Sequence, residues 1–543
     1  MHERGGVAVE LEALDPADGT PLAPPIREAV PSREEVASLV DAVAGRVRRA
    51  LLSPVPWPWS SSASGMTTSS ANALFHYFRG VECSDRPAHG QDCAVELRKA
   101  LEIDPGFGLA AYRLATWLHW FGGSRDEQRA LVDHALRAGV ALPEKERALL
   151  HAWDARLDGR DAEALDLYLK ASRIWPQDPE APYQAADLLR HRDRLAEAVP
   201  WFERTISLQP DHAWALGGLV QCLGPLGREA DLRAWVERWE TDQRPSTLHA
   251  LVLARGWLGD PSGAVEAARA AVVLGAGPSA QEDLLTARVF AGDVDGVEPD
   301  VRRLAASPGT SSRRMGHYGL AAIEAYRGRP HAALAVLDAL ERLEPAVARD
   351  AVYRTVRADL LVGQGDAAAV WREVDAARGI DPHLAAEHAV SLAWMGDVEH
   401  ARVLVRDLPA DEPLARTTEA LIRFREGDRE SALAELGRIS AATPAFTWRV
   451  APLFLYGELL AESGRDAGAV DALRRSQALY VPLAMWRTWA FPMSLLLVAR
   501  SSNRLGRREE ALESVDRLLA GWSAAEPDQP ILAEAKAIRS GLE

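Results

Sequence analysis

His191, Arg192 and Asp193 spell the opening letters of a phosphotransfer catalytic loop, in which the aspartate accepts a substrate proton and an asparagine five residues on holds a metal ion. Position 198 is Ala198, so that oxygen is missing, and the triplet joins two helical stretches. It reads as a turn. Asp293-Val294-Asp295-Gly296 has the look of a calcium loop without the further oxygen ligands and the glutamate at its twelfth position, and it too reads as a hairpin turn. The 14 histidines are dispersed, with no H-E-x-x-H and no pair one turn apart beside a carboxylate, which argues against a metal site. No G-x-S-x-G elbow and no G-x-x-x-x-G-K-[ST] phosphate loop is present. Cys83, Cys93 and Cys222 make an odd, sparse set without a close pair of the kind that grips zinc, and a reducing compartment is expected. The residues therefore point to a non-enzymatic chain with no cofactor and no metal. The 17 tryptophans, Trp235 with Trp239 and Trp486 with Trp489 among them, suit packing between helices or peptide and carbohydrate binding.

The elements that must carry these residues follow from an internal repeat. Ala164, Tyr168, Ala171 and Pro176 recur 34 positions later as Ala198, Phe202, Thr205 and Pro210. Cys93, Leu97, Ala100 and Pro105 hold the same relative places, and Trp214, Gly217, Gly218 and Ala230 continue the pattern. Echoes follow at Ala333, Leu337, Leu340 and Pro345, at Asp381-Pro382, and at Ala511, Val515 and Leu518. Small residues let two helices approach, the aromatic fills the space to the next pair, and proline ends the second helix. A 34-residue helix-turn-helix unit of this kind resembles the tetratricopeptide repeat. The expected fold is all-α, a tetratricopeptide-type superhelical solenoid of about twelve or thirteen helical hairpins with separated ends. Boundaries between Thr241 and Thr443 stay open by a few residues, because Ala-rich helices carry weak landmarks.

A small partial α/β segment precedes the array. Residues 7–14 alternate apolar and polar, residues 15–20 have turn chemistry, and 32–52 form an amphipathic helix. So little apolar surface does not fold alone, and residues 1–52 read as the end of a larger domain, truncated or completed by a partner. Residues 53–70, rich in Pro, Ser and Thr with Trp57 and Trp59, form a linker. Residues 71–543 are the repeat array, closed by a capping helix.

If the register set by Pro176 and Pro210 holds, Trp153, Arg156, Tyr183, Asp187 and Arg190 share the inner face of the array, where an extended peptide would lie. A net charge of -16 opposes binding to a phosphate backbone, and no apolar run is long enough to insert in a membrane. Ala73 to Pro105, Leu142 to Ala152 and Leu519 to Ala537 make the chain similar to the sensor region of bacterial serine/threonine protein kinases and related multidomain regulators. That resemblance implies a cytoplasmic protein- or peptide-binding scaffold in signalling, without the catalytic domain. The alternatives are a helical toroid acting on glycans, with paired carboxylates for hydrolysis, and a self-assembling spacer.

Overall fold

The computed structural model describes residues 7–12, 25–31, single positions up to 70, and 71–542 with short breaks at 86–92, 122–124, 139–141, 243, 275–276, 411, 443–451 and 480–484. Near the start, β1 (Val7–Leu11) pairs antiparallel with β2 (Ile26–Val30) in the register Val7 to Val30 through Leu11 to Ile26. Leu39 and Val43, one helical turn apart, are buried. Most of the helix expected over 32–52, and nearly all of the linker with Trp57 and Trp59, lie outside the described residues. Ser70 caps the first array helix, its Oγ accepting from the Ala73 N–H at 3.3 Å.

From Ala71 onward, paired helices follow one another among the described residues. The first pairs are Ala71–Asp85 with Cys93–Ile103, Gly108–Phe121 with Arg125–Ala138, Glu144–Leu157 with Asp161–Ile174, and Glu180–His191 with Leu195–Leu208. Next come Ala213–Leu223 with Glu229–Trp239, Pro245–Trp257 with Pro261–Val273, and Gly277–Phe290 with Val294–Ala305. Six more pairs begin at Thr310, Ala351, Pro382, Pro413, Pro452 and Met485, and Pro530–Leu542 ends the array. The fold is a tetratricopeptide-type helical solenoid. The repeat positions do the packing: Ala164, Tyr168, Ala171, Ala198, Phe202 and Thr205 are each at most 1% exposed.

What punctuates the hairpins is a residue in the left-handed region between the two helices. Ten glycines hold it, Gly159, Gly227, Gly259, Gly292, Gly328, Gly365, Gly396, Gly427, Gly464 and Gly506, and at the equivalent place Asp193 has φ 53°. Only glycine, or an Asp or Asn, enters that region at low cost. The His191-Arg192-Asp193 triplet is therefore the same turn with aspartate in the glycine place. Each of these residues is followed by Asp or Arg, and the aspartates cap the second helix, as Asp260 does by accepting from the Gly263 N–H at 2.9 Å. Asp293 works the same way for Gly296 while Arg288 Nε donates to it at 2.8 Å, so its carboxylate is committed to a turn.

One expectation is corrected. Cys83 and Cys93, ten residues apart, are joined in a disulfide, because the first hairpin folds back and brings the helices that carry them together. The sparse set of three cysteines thus holds one bonded pair, with Cys222 free and buried. The contacts divide the chain into two compact units, residues 1–86 with 91–182, and 87–90 with 183–543. Inside the second unit the chain returns on itself. Met485–Arg504 packs on Thr310–Tyr326 and Ala351–Val362, with the rings of Tyr326 and Phe491 stacked at 6.3 Å. Trp522 Nε1 donates to the Tyr326 carbonyl at 2.9 Å across 196 residues. Arg192 meets His383 at 2.7 Å across 191 residues, a similar interval. Six hairpins thus make one turn of the superhelix, and its successive turns touch.

Candidate ligand face of the second unit

The left-handed turn residues give the hairpins from Glu144 onward a common ruler. Ten residues before Asp193, Gly227, Gly259 and Gly292 stand Tyr183, Gly217, His249 and Glu282, on four successive first helices. Six residues before the turns at 159 and 193 stand Trp153 and Asp187, and three before them Arg156 and Arg190. Stacked hairpins place their first helices side by side, so within one unit such positions form rows along a face.

The five residues expected on that face do not fall in one compact unit. Trp153 and Arg156 lie in the first, and Tyr183, Asp187 and Arg190 in the second. Trp153 is fully buried, 5.2 Å from the His119 ring, with the Arg156 guanidinium 5.3 Å over its own ring. Arg156 is only 5% exposed. Both are enclosed by packing. In the second unit, Tyr183 lies 4.6 Å from the ring of His212 and 6.4 Å from Phe202. Arg190 donates to Asp187 at 2.8 Å and to Gln221 of the next first helix at 3.0 Å. His191 stands 3.4 Å from the same Asp187 oxygen. Cys222, beside this network, has its thiol pushed up to about 12 by burial, which leaves it unreactive.

The row continues with a second polar cluster. His249 Nδ1 and Asp283 Oδ2 are 2.6 Å apart, and a Cβ at Gly217 would come within 3.2 Å of His249 Nε2, so a glycine there makes room for the imidazole. Burial pulls the imidazole down, but the adjacent Asp283 charge and hydrogen bond outweigh it and leave His249 above its ordinary 6.5. Glu282 is pushed up to about 7, chiefly by burial and further by Asp283. An imidazole that holds its proton more tightly than usual, beside Asp283 and Glu282, offers a donor and acceptors to a ligand.

The later first helices turn inward instead. Trp394 Nε1 donates to Glu458 Oε2 at 2.5 Å and its ring lies 4.7 Å from that of Trp489, which meets Phe454 edge-on at 5.9 Å. Glu458, six residues before Gly464 and so equivalent to Asp187, is buried in this packing. Trp486 lies outside the residues whose side chains are described. His331, Glu526 and Asp528 bring ligand-type atoms within 4.8 Å of one another. Both oxygens of Glu526 are already engaged by the backbone N–H groups of His331 and Ala332. That is the positive end of the helix Pro330–Leu343, a poor place for a cation.

No protein family matches the chain, and no curated protein sequence does. Among solved structures it is similar to the anaphase-promoting complex heterotetramer Cut9-Hcn1, at 10% identity and TM-score 0.33, covering 89% of this chain and 99% of that one. A second is Naa15/Naa10 bound to HypK, at 15% identity and TM-score 0.21, covering 87% and 78%. Likeness at this level adds nothing to what the helix pairs themselves show. No helix among the described residues is long and apolar enough to cross a membrane.

Proposed function

We propose that the chain is a non-enzymatic scaffold that grips an extended protein segment or peptide along the first helices of the second unit, between Tyr183 and Phe290. The observation that carries this reading is the polar network strung from helix to helix there. Asp187, Arg190 and Asp283 are at most 8% exposed, where apolar residues would pack at lower cost. Polar side chains held at that expense, with half-buried Tyr183 and His249 and the exposed indole of Trp214 beside them, suit directional recognition of a backbone and its side chains. Tyr183, Asp187 and Arg190 enter the proposal; Trp153 and Arg156, enclosed in the first unit, do not.

In its finer form the reading makes the array the sensor arm of a kinase-type regulator in bacterial signalling, acting in the cytoplasm. The resemblance of the three stretches named above supports it, and the Cys83–Cys93 bridge weighs against the cytoplasm. The test is a displayed random-peptide library panned against the full chain, with enriched peptides measured by calorimetry. Binding should weaken at least about tenfold in the variant Asp187→Ala/Arg190→Ala/His249→Ala, as expected when hydrogen-bonded charge pairs at an interface are truncated. Enriched peptides that bind this folded variant as well as the parent would refute the placement, and an empty selection would refute the function.

A further inference from the structure

The closed turn of the second unit is held at a narrow seam. On one side are residues 326–332, the end of one first helix and the start of its partner; on the other are residues 522–526, the connection before the last helix. Trp522 donates to the Tyr326 carbonyl, and the Glu526 N–H donates to the Gly328 carbonyl at 3.0 Å. The Glu526 carboxylate accepts from the His331 and Ala332 N–H groups at 3.1 and 3.2 Å and lies 2.6 Å from His331 Nδ1. Gly328 fits because it has no side chain: a Cβ there would lie 2.7 Å from the Trp522 ring. Behind the seam the turn is filled by one continuous core containing Trp489, Phe491 and Trp522, with Tyr326 and Trp394 against it. Glu458 is enclosed there with the Trp394 N–H as its hydrogen-bond donor.

We infer that this seam is a pH-responsive clasp, which keeps the six-hairpin turn closed in mildly acidic solution and loosens as the solution becomes alkaline, uncovering the face around Trp394 and Trp489. The proposal does not depend on any ligand of the earlier helices.

Both titratable groups act in the same direction. Glu458 is raised from 4.5 to about 7 by burial, with Glu462 adding to the rise and the Trp394 hydrogen bond, Arg425 and Arg500 opposing it. A carboxyl raised in the closed state penalises that state progressively above its open-state value, and fully once the pH passes the closed-state value. His331 is raised above 6.5 by the hydrogen bond and charge of Glu526, with Asp528 adding to it and slight burial opposing. The stability it lends is complete below 6.5 and is lost as pH rises through the raised value. Acid therefore closes the seam at both sites.

Hydrogen exchange of the full chain at pH 6 and pH 8.5, corrected for intrinsic rates, tests the clasp. Protection of the seam amides of His331, Ala332 and Glu526 should fall at least about tenfold at the higher pH, the loss expected from Glu458 alone between those values. Glu458→Gln, which keeps an acceptor for Trp394 without a charge, should retain most of the protection at pH 8.5. Glu526→Gln should show low protection at both. Seam protection unchanged between the two pH values in the parent chain overturns the proposal, whether or not the variants fold. So does a loss shared equally by the distant helix Ala213–Leu223, which would mean general destabilisation rather than a local opening.

Discussion

Gly259 and Gly521 allow one substitution to be compared in two backbone states. Each has open space where a Cβ would go, so alanine meets no steric contact at either position, but Gly259 has φ +73° and Gly521 lies on the ordinary side. At Gly259 alanine is forced into the left-handed region at about 1–2 kcal/mol. Restricting the unfolded chain returns about 0.4–1 kcal/mol, so Gly259→Ala should destabilise the second unit by about 1 kcal/mol. At Gly521, the last residue of the helix Arg508–Gly521, the left-handed cost is absent, and alanine should be neutral or stabilising by up to about 1 kcal/mol. Calorimetric melting of the two variants beside the parent reads the difference. For a unit of this size about 1 kcal/mol moves the apparent midpoint by roughly 1–2 °C, downward for Gly259→Ala and level or upward for Gly521→Ala. A Gly259→Ala midpoint at or above the parent would mean that the positive φ is not what requires glycine there, and the account of the turns would fail.

Three further outcomes follow from particular contacts. Gly218→Ala puts a Cβ 2.5 Å from the Phe202 ring and should cost about 1–3 kcal/mol in urea unfolding despite the better helix propensity of alanine, with Phe202→Leu in the same chain recovering part of it. Reducing the Cys83–Cys93 bridge releases a loop of ten residues and should lower the stability of the first unit by about 3 kcal/mol, seen as an earlier melting step with reductant and in Cys83→Ser/Cys93→Ser. His249 should titrate above 6.5 by NMR, and Asp283→Asn should bring it below. The sign fixes the stability effect: the His249 to Asp283 pair stabilises fully below pH 6.5 and is lost as pH rises through the raised value.

The helical array was legible because its landmarks act locally. Ala164, Tyr168 and Ala171 touch partners within one hairpin or the next, so a fixed offset betrays them. The boundaries left open between Thr241 and Thr443 had a signal as well, the Gly-Asp and Gly-Arg dipeptides at Gly259, Gly292, Gly328, Gly365, Gly396 and Gly427. Helix lengths vary, so these dipeptides recur at unequal intervals and escape a search for a constant period. The disulfide was hidden because a hairpin pattern does not say which faces of its two helices meet, and the pair is ten residues apart. Trp153 and Arg156 were placed on the right helix, yet helical register alone does not say whether the face beside them is open. Likewise Glu458 meets Trp394 across 64 residues, and nothing local encodes the curvature that brings them together.

The contact between Trp522 and Tyr326 also bears on how such a chain can change over generations. An open stack tolerates the gain or loss of a hairpin, since each unit meets only its neighbours. Here the stretch between those two residues must span one circuit, so duplicating or deleting one of its hairpins would leave Trp522 and Glu526 facing the wrong turn. The contact of Arg192 with His383 sets the same count for the hairpins between them, so the length of both stretches is fixed by geometry.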